Sequence, residues 1–203
     1  MIVEVLKKEL VDISKRLDVK GYVQAAGGNV SVRVPGEKLF LIKRTGVTMA
    51  ECCKEDILVV DFDGNVVHGY GKPSKEVNFH LGILKSRSDI QAVVHTHSNY
   101  AVALSNLGLE LPMVSVTAEM YLHRVPLVPK AVPGTKELAD SVITAFSDDE
   151  SRQVKAVLMA AHGVCAVGKS LQDAYETADL VEGTAHQAFI EAILEGNKGY
   201  FKR

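Results

Sequence analysis

Two histidines in alternation, His95-Thr96-His97, close the apolar run Ala92-Val93-Val94. That run is short, β-branched and bounded by polar residues, so it reads as a buried β-strand. Residues i and i+2 of a strand point to the same face, and the two imidazoles should project together, close enough to share one metal ion. His162 stands in a matching context, after the apolar run Ala156 to Ala160 and before Gly163. Three neutral imidazoles leave a fourth position open on a zinc-type ion, the pattern of a catalytic rather than a structural site. Glu76 is the candidate general acid/base. It falls in the first turn of a predicted helix, which favours the ionised form, and a nearby metal would strengthen that preference or take the carboxylate as a ligand.

Three further segments could receive an anion. Gly27-Gly28-Asn29 offers unhindered backbone N–H groups and a side-chain amide, and Arg44-Thr45-Gly46 offers a cation, a hydroxyl and a flexible amide. Ser74 and Lys75 sit where that helix should begin, with Ser74 as its N-cap, and exposed N–H groups there favour anions. Taken together the segments suggest a phosphate site. Glu119, a second carboxylate, could hold a water or act as a second base, although a solvated role is the commoner one for such a residue. His80, four residues after Glu76 on the same helix face, reads as a hydrogen-bonded, partly buried side chain rather than a ligand. His68, His123 and His186 lack partner spacing and read as surface or core residues.

These groups need a scaffold. Ile2, Val5, Leu6, Leu10, Ile13 and Leu17 mark an amphipathic first helix. Val30–Val34, Leu39–Lys43 and Ile57–Asp61 read as strands, and Asp63-Gly64-Asn65 as a hairpin turn into Val66-Val67-His68. Helices are expected from Pro73-Ser74 onward, over Tyr100–Leu104, from Pro133-Gly134-Thr135 to about Phe146, and from about Ser170 to Leu194; Val125–Val128 reads as a short strand. Helices alternating with strands argue for a mixed sheet with helices packed on it.

The chain has 203 residues, 47% of them apolar and 24% charged, with a net charge of −2. No linker or repeat divides it, and it is expected to form one domain over 1–203. Nothing in the charge calls for nucleic acid or an anionic membrane, and no apolar run approaches the roughly 20 residues of a membrane span. The start, MIVEVLKKEL, lacks the apolar region of a secretory signal. Three cysteines, two of them vicinal (Cys52, Cys53, Cys165), make a poor disulfide framework and suit a reducing cytoplasm. Cys165, three residues after His162, reads as a small apolar filler.

The ordered set G-G-N-V-S, R-T-G, K-P-S-K-E, V-V-H-T-H and H-G-V resembles the class II aldolase/adducin superfamily, in its L-fuculose-1-phosphate aldolase-like branch, from about residue 5 to 195. The resemblance implies a three-layer α/β/α fold around a mixed, largely antiparallel sheet, in homotetramers with active sites between subunits. It implies that His95, His97 and His162 are ligands of a divalent metal, Zn²⁺ or else Mn²⁺ or Co²⁺. Glu76 would be the acid/base that also approaches the metal, and Gly28, Asn29, Thr45, Gly46, Ser74 and Lys75 would hold the phosphate of a small phosphorylated sugar. The implied reaction is cleavage to dihydroxyacetone phosphate and an aldehyde. Ser74-Lys75 departs from the aldolases' Ser-Ser, and K-P-S-K-E with V-P-L-V-P is closer to the 3-oxo-tetronate 4-phosphate decarboxylases. An aldolase tyrosine expected near Val116 is absent, and Tyr200 is the candidate substitute for one in the tail. Glu119 falls near a catalytic aspartate of the pentulose-phosphate 4-epimerases, which carry aspartate where this chain has Glu76. A noncatalytic adducin-like module would have lost the metal-ligand set that is present here.

Overall fold

The structure, a computed structural model, describes residues 2–147 and 154–196. Eight strands form one sheet in the order β4-β3-β2-β1-β5-β8-β7-β6. The strands are β1 (Asn29–Arg33), β2 (Leu39–Lys43), β3 (Ile57–Asp61), β4 (Val66–His68), β5 (Ala92–Thr96), β6 (Leu127–Val128), β7 (Ala156–Met159) and β8 (Gly163–Gly168). All neighbours pair antiparallel except β6 with β7, which is parallel. The sheet is therefore mixed and largely antiparallel, as expected.

Helices cover both faces. On one side α1 (Ile2–Val19) and α6 (Leu171–Gly196) pack with α3 (Asn99–Asn106) and α4 (Val116–Leu122) over a core that includes Val30, Val32, Leu41, Val94 and Ala166. On the other side α2 (Val77–Ser86) and α5 (Lys136–Ser147) pack over Phe40, Ile42, Leu58, Val93, Val157 and Cys165. The two lists alternate along each strand, because successive strand side chains face opposite layers and both faces are buried. The result is a three-layer α/β/α arrangement.

Most elements fall where hydrophobic spacing placed them, with three differences. The segment Gly163–Gly168 was not read as a strand, since glycine closes both ends, yet it lies between β5 and β7 with every residue buried. Helix α4 was missed because its seven residues leave Val116, Met120 and Tyr121 exposed, which blurs the apolar stripe. The strand expected over Val125–Val128 is only Leu127–Val128, because Pro126 has no N–H for the ladder. Among the described residues no helix is long and apolar enough to cross a membrane.

Candidate active site

Pairing in the centre of the sheet gathers the candidate residues at one end. Asn29 of β1 stands opposite His95 of β5, and His95 stands opposite Cys165 of β8. Just beyond, the β7–β8 hairpin turns through Ala160-Ala161-His162, with His162 N–H donating to Met159 O at 3.0 Å. Ala161 takes the left-handed conformation (φ 57°) and its N–H is held by Ser105 Oγ of α3 at 3.2 Å.

The three imidazoles converge. His97 Nε2 lies 3.0 Å from His95 Nε2, and one nitrogen from each of His95, His97 and His162 falls within a 4.8 Å group. His95 Nδ1 donates to Val164 O at 2.8 Å, which leaves the Nε2 lone pair facing its neighbours. Two metal-bound nitrogens in a tetrahedral site with bonds of ~2.05 Å would stand roughly 3.3 Å apart. The ring of His97 passes so close to Gly27 that a Cβ there would lie 2.7 Å from His97 Nδ1, so the glycine loop is what admits this ring. Gly28, next to it, holds φ at 68°, a conformation that costs other residues strain.

Glu76 closes the cluster. Its Oε2 lies 3.2 Å from His95 Nε2 and accepts from Asn29 Nδ2 at 2.8 Å. Its Oε1 lies 3.1 Å from His162 Nε2 at an angle that makes no hydrogen bond. His162 Nδ1, also buried, has no hydrogen-bond partner among the described residues. Burial pushes the Glu76 carboxyl up, but the His95 and His162 imidazoles and the Asn29 amide outweigh it and hold it well below the usual carboxylate range. Burial pushes His95 down and His97 down to about 4, and the neighbouring rings add to both effects. An ionised carboxylate with an unsatisfied oxygen, packed beside His162 and against the His95 and His97 rings whose charging burial opposes, is a donor set that fits a divalent cation.

The cluster lies at one end of a cleft of about 380 Å³, whose walls carry all six predicted phosphate residues, Gly28, Asn29, Thr45, Gly46, Ser74 and Lys75. Ser74 does not cap α2. The helix starts at Val77 with Glu76 at the N-cap, and Ser74 Oγ instead accepts from Asn29 Nδ2 at 3.0 Å and from Glu76 N–H at 3.3 Å. The turn before the helix is closed by Val77 N–H donating to Ser74 O at 3.0 Å. Thr45 N–H is spent on Lys72 O at 3.0 Å, which leaves its hydroxyl and the Gly46 amide for a ligand. Arg44, read as a possible phosphate cation, pairs through Nε with Asp56 Oδ1 at 2.7 Å.

Lys43 was missed. It reads as the end of an apolar strand, yet its ammonium is buried under the 44–47 turn, donates to Val47 O at 2.5 Å and lines the cleft. The charge ending the run Leu-Phe-Leu-Ile-Lys was the available signal. Burial pushes this lysine's pKa down. Glu119 is exposed on α4 and is not part of the cleft. His80 is fully buried on the Asn29 amide, His68, His123 and His186 are exposed, and Cys165 is a buried thiol in the α2–α5 core. Cys52 and Cys53 are free, and Tyr200 lies outside the described residues.

The family described as class II aldolase and adducin N-terminal domain matches residues 8–189. An L-fuculose phosphate aldolase from Methanococcus maripaludis is 35% identical over 182 residues, covering 90% of this chain and 95% of its own. A 3-oxo-tetronate 4-phosphate decarboxylase from Escherichia coli is 34% identical over 190 residues, covering 91% of this chain and 86% of its own. A solved L-fuculose 1-phosphate aldolase superposes with a TM-score of 0.86 at 32% identity, covering 93% of this chain and 87% of its own.

Two outcomes follow from this geometry. His95→Ala and His162→Ala should each lose most of the one divalent ion per chain that the wild type retains on dialysis; metal analysis showing full retention in both would remove the histidine site. The metal-free protein should lose stability as pH falls from about 6.5 to about 4. His97 and His80, the latter pushed by burial down to about 3, stay neutral when folded but take up protons near 6.5 when unfolded. The unfolded chain therefore binds more protons across that window, and the urea midpoint should drop; a flat midpoint would contradict the buried neutral state.

Proposed function

The chain belongs to the class II aldolase and adducin N-terminal domain family, and we propose that within it the protein is a divalent-metal-dependent aldehyde-lyase. It splits a ketose phosphate, of the L-fuculose 1-phosphate kind, into dihydroxyacetone phosphate and an aldehyde. One observation carries this reading: three imidazoles and an ionised carboxylate meet at one end of a cleft whose other walls are anion-binding groups.

His95, His97 and His162 would hold the ion, zinc by the preference of three neutral imidazoles, with manganese or cobalt as alternatives. Bound there, the ion polarises the ketose carbonyl and the adjacent hydroxyl, which lowers the cost of an enediolate. The chain's own residues do the rest. Ser74 and Thr45 hydroxyls, the Gly46 amide and the Lys75 ammonium anchor the phosphate, with Gly28 keeping the loop clear for it and Asn29 bordering it and orienting Ser74 Oγ. This places the carbon that gains or loses a proton beside Glu76. Breaking the carbon–carbon bond leaves an enediolate and frees the proton of the hydroxyl that becomes the aldehyde oxygen; the ionised Glu76 takes up a proton in that step and delivers it to the enediolate carbon, and in the reverse direction Glu76 takes that carbon's proton away. Glu76 also borders the metal position and can add an oxygen ligand.

A second reading is decarboxylation of a 3-oxo sugar-acid phosphate, which passes through a similar enediolate. Lys75 favours it. This lysine stands exposed on the cleft wall, with no ion pair among the described residues, in the K-P-S-K-E string. Its ammonium could take a substrate carboxylate as readily as a phosphate. The free thiols suit a cytoplasmic enzyme. The homotetramer that the resemblance implies is supported by apolar side chains exposed on α4 and the end of α6, including Val116, Met120, Tyr121, Phe189 and Ile193.

Glu76→Gln should lower kcat by roughly 10²-fold or more while most of the metal stays bound, because glutamine keeps the size but cannot cycle a proton. The direct assay is NMR-followed exchange of the reactive hydrogen of dihydroxyacetone phosphate in deuterated water, which needs no aldehyde. Unchanged exchange in the variant would remove Glu76 as the base, and no exchange in metal-loaded wild type would favour decarboxylation. Lys75→Ala should raise KM for a phosphorylated substrate roughly 10-fold or more through loss of a charge-assisted contact. An unchanged KM, with a phosphate analogue still inhibiting fully, would take Lys75 out of the anion site.

A further inference from the structure

Behind the Glu76 carboxylate runs a string of buried polar groups that the chemistry above leaves unused. Asn29 and Ser31 alternate on β1 and face the same way, toward α2, where His80 sits one turn beyond Glu76. Ser31 Oγ is 2.7 Å from His80 Nδ1, and His80 Nε2 hydrogen-bonds Asn29 Oδ1. Asn29 Nδ2 then reaches Glu76 Oε2 at 2.8 Å and Ser74 Oγ at 3.0 Å. Ser31 and His80 are 0% exposed and Asn29 is 4% exposed, so solvent does not supply substitute partners.

The direction of this chain of bonds is forced. An amide can turn either its NH₂ or its oxygen toward the carboxylate, and only the NH₂ attracts it. With Nδ2 committed to Glu76 and Ser74, Oδ1 faces His80, which must donate to it. His80 is thereby the Nε2–H tautomer, and its Nδ1 accepts the Ser31 hydroxyl proton. The other tautomer would turn the amide oxygen onto a carboxylate oxygen 2.8 Å away. Packing holds the ring as well: Phe79 stacks on it at 4.7 Å and 20° and meets His95 edge-on at 5.7 Å.

We propose that His80 is a positioning residue for proton transfer: its Nε2–H tautomer, with Nδ1 accepting from Ser31, holds the Asn29 amide in the one orientation that keeps Glu76 Oε2 on a donor and fixes the carboxylate toward the substrate carbon. This rests on Glu76 being the acid/base of the proposed reaction. His80 itself exchanges no proton with substrate. It acts through Asn29, and its loss should appear in kcat more than in KM.

The test uses the metal-loaded protein. His80→Leu removes the donor at similar bulk, whereas His80→Gln returns an amide N–H close to the position of Nε2. Turnover is measured by deuterium exchange of dihydroxyacetone phosphate or by carbon dioxide release from a 3-oxo sugar-acid phosphate, whichever the wild type supports. His80→Leu should lower kcat roughly 10–100-fold, the scale of other lost orienting partners, and His80→Gln should recover it to within about threefold. Equal losses in the two variants would overturn the proposal, since a purely structural role would not distinguish them. The tautomer is read in the wild type from long-range ¹H–¹⁵N correlations of the ring, independently of activity. An Nε2–H ring supports the proposal, and an Nδ1–H ring overturns it whatever reaction the enzyme performs. A wild type that turns over neither substrate while showing the Nε2–H ring would instead count against the proposed function.

Discussion

A carboxylate buried among imidazoles is the constraint around which this protein is arranged. Removing an ionised Glu76 from water is costly; the Asn29 amide donates to the carboxylate, and among the described residues no lysine or arginine pairs with it. Burial also keeps His95 and His97 from charging easily. The charge balance is then left to a cation from solution, and the same features that make the cluster uncomfortable alone make it a good ligand set. Outward from it, the buried bonds through Asn29 to His80 and Ser31 keep the carboxylate from turning away from that position.

The sheet makes this possible by placing β5 between β1 and β8. Antiparallel pairing on both sides fixes Asn29, His95 and the start of β8 at the same end of the sheet, and a shift by one residue would turn His95 to the opposite layer. His97 lies past the end of β5, where its N–H donates to Tyr22 O at 2.8 Å and its ring is admitted by the absence of a side chain at Gly27. Farther along the same segment, Glu182 of α6 accepts from the N–H groups of Tyr100 and Ala101 at 3.0 and 2.9 Å and anchors the first turn of α3. Each histidine is thus placed by a different kind of restraint: a ladder for His95, a close backbone approach for His97 and a hairpin for His162.

The cleft divides its work between its two ends. The histidine and carboxylate end tolerates little change, because its groups are packed against one another. The anion end is built from turn backbone, hydroxyls and one exposed lysine over a buried one, and such groups can accept a phosphate on different carbon frames. Aldol cleavage and decarboxylation both generate an enediolate, and relatives bearing either name match this chain over most of its length at 35% and 34% identity. What separates the two outcomes is the group leaving that carbon, and Lys75 at the cleft wall is the visible departure on that side.

From the sequence alone come the residue types and their local geometry. Alternation on an apolar strand aims His95 and His97 the same way, a matching run presents His162 at its end, and the hydrophobic spacing places five of the six α-helices and seven of the eight strands among the described residues. Those features depend on period and propensity, which are local. Tertiary structure alone decided what met what. No spacing shows that Asn29 would face Glu76, that Ser74 would serve Asn29 instead of capping α2, that Lys43 would be buried under a turn, or that Glu119 would stand in solvent. Strand order sets those meetings, and strand order follows from how two buried sheet faces are covered by helices far apart in the chain. The amide orientation of Asn29 and the tautomer of His80 lie further still from the sequence, because each is fixed only once a charge and four polar partners have been brought within hydrogen-bonding distance.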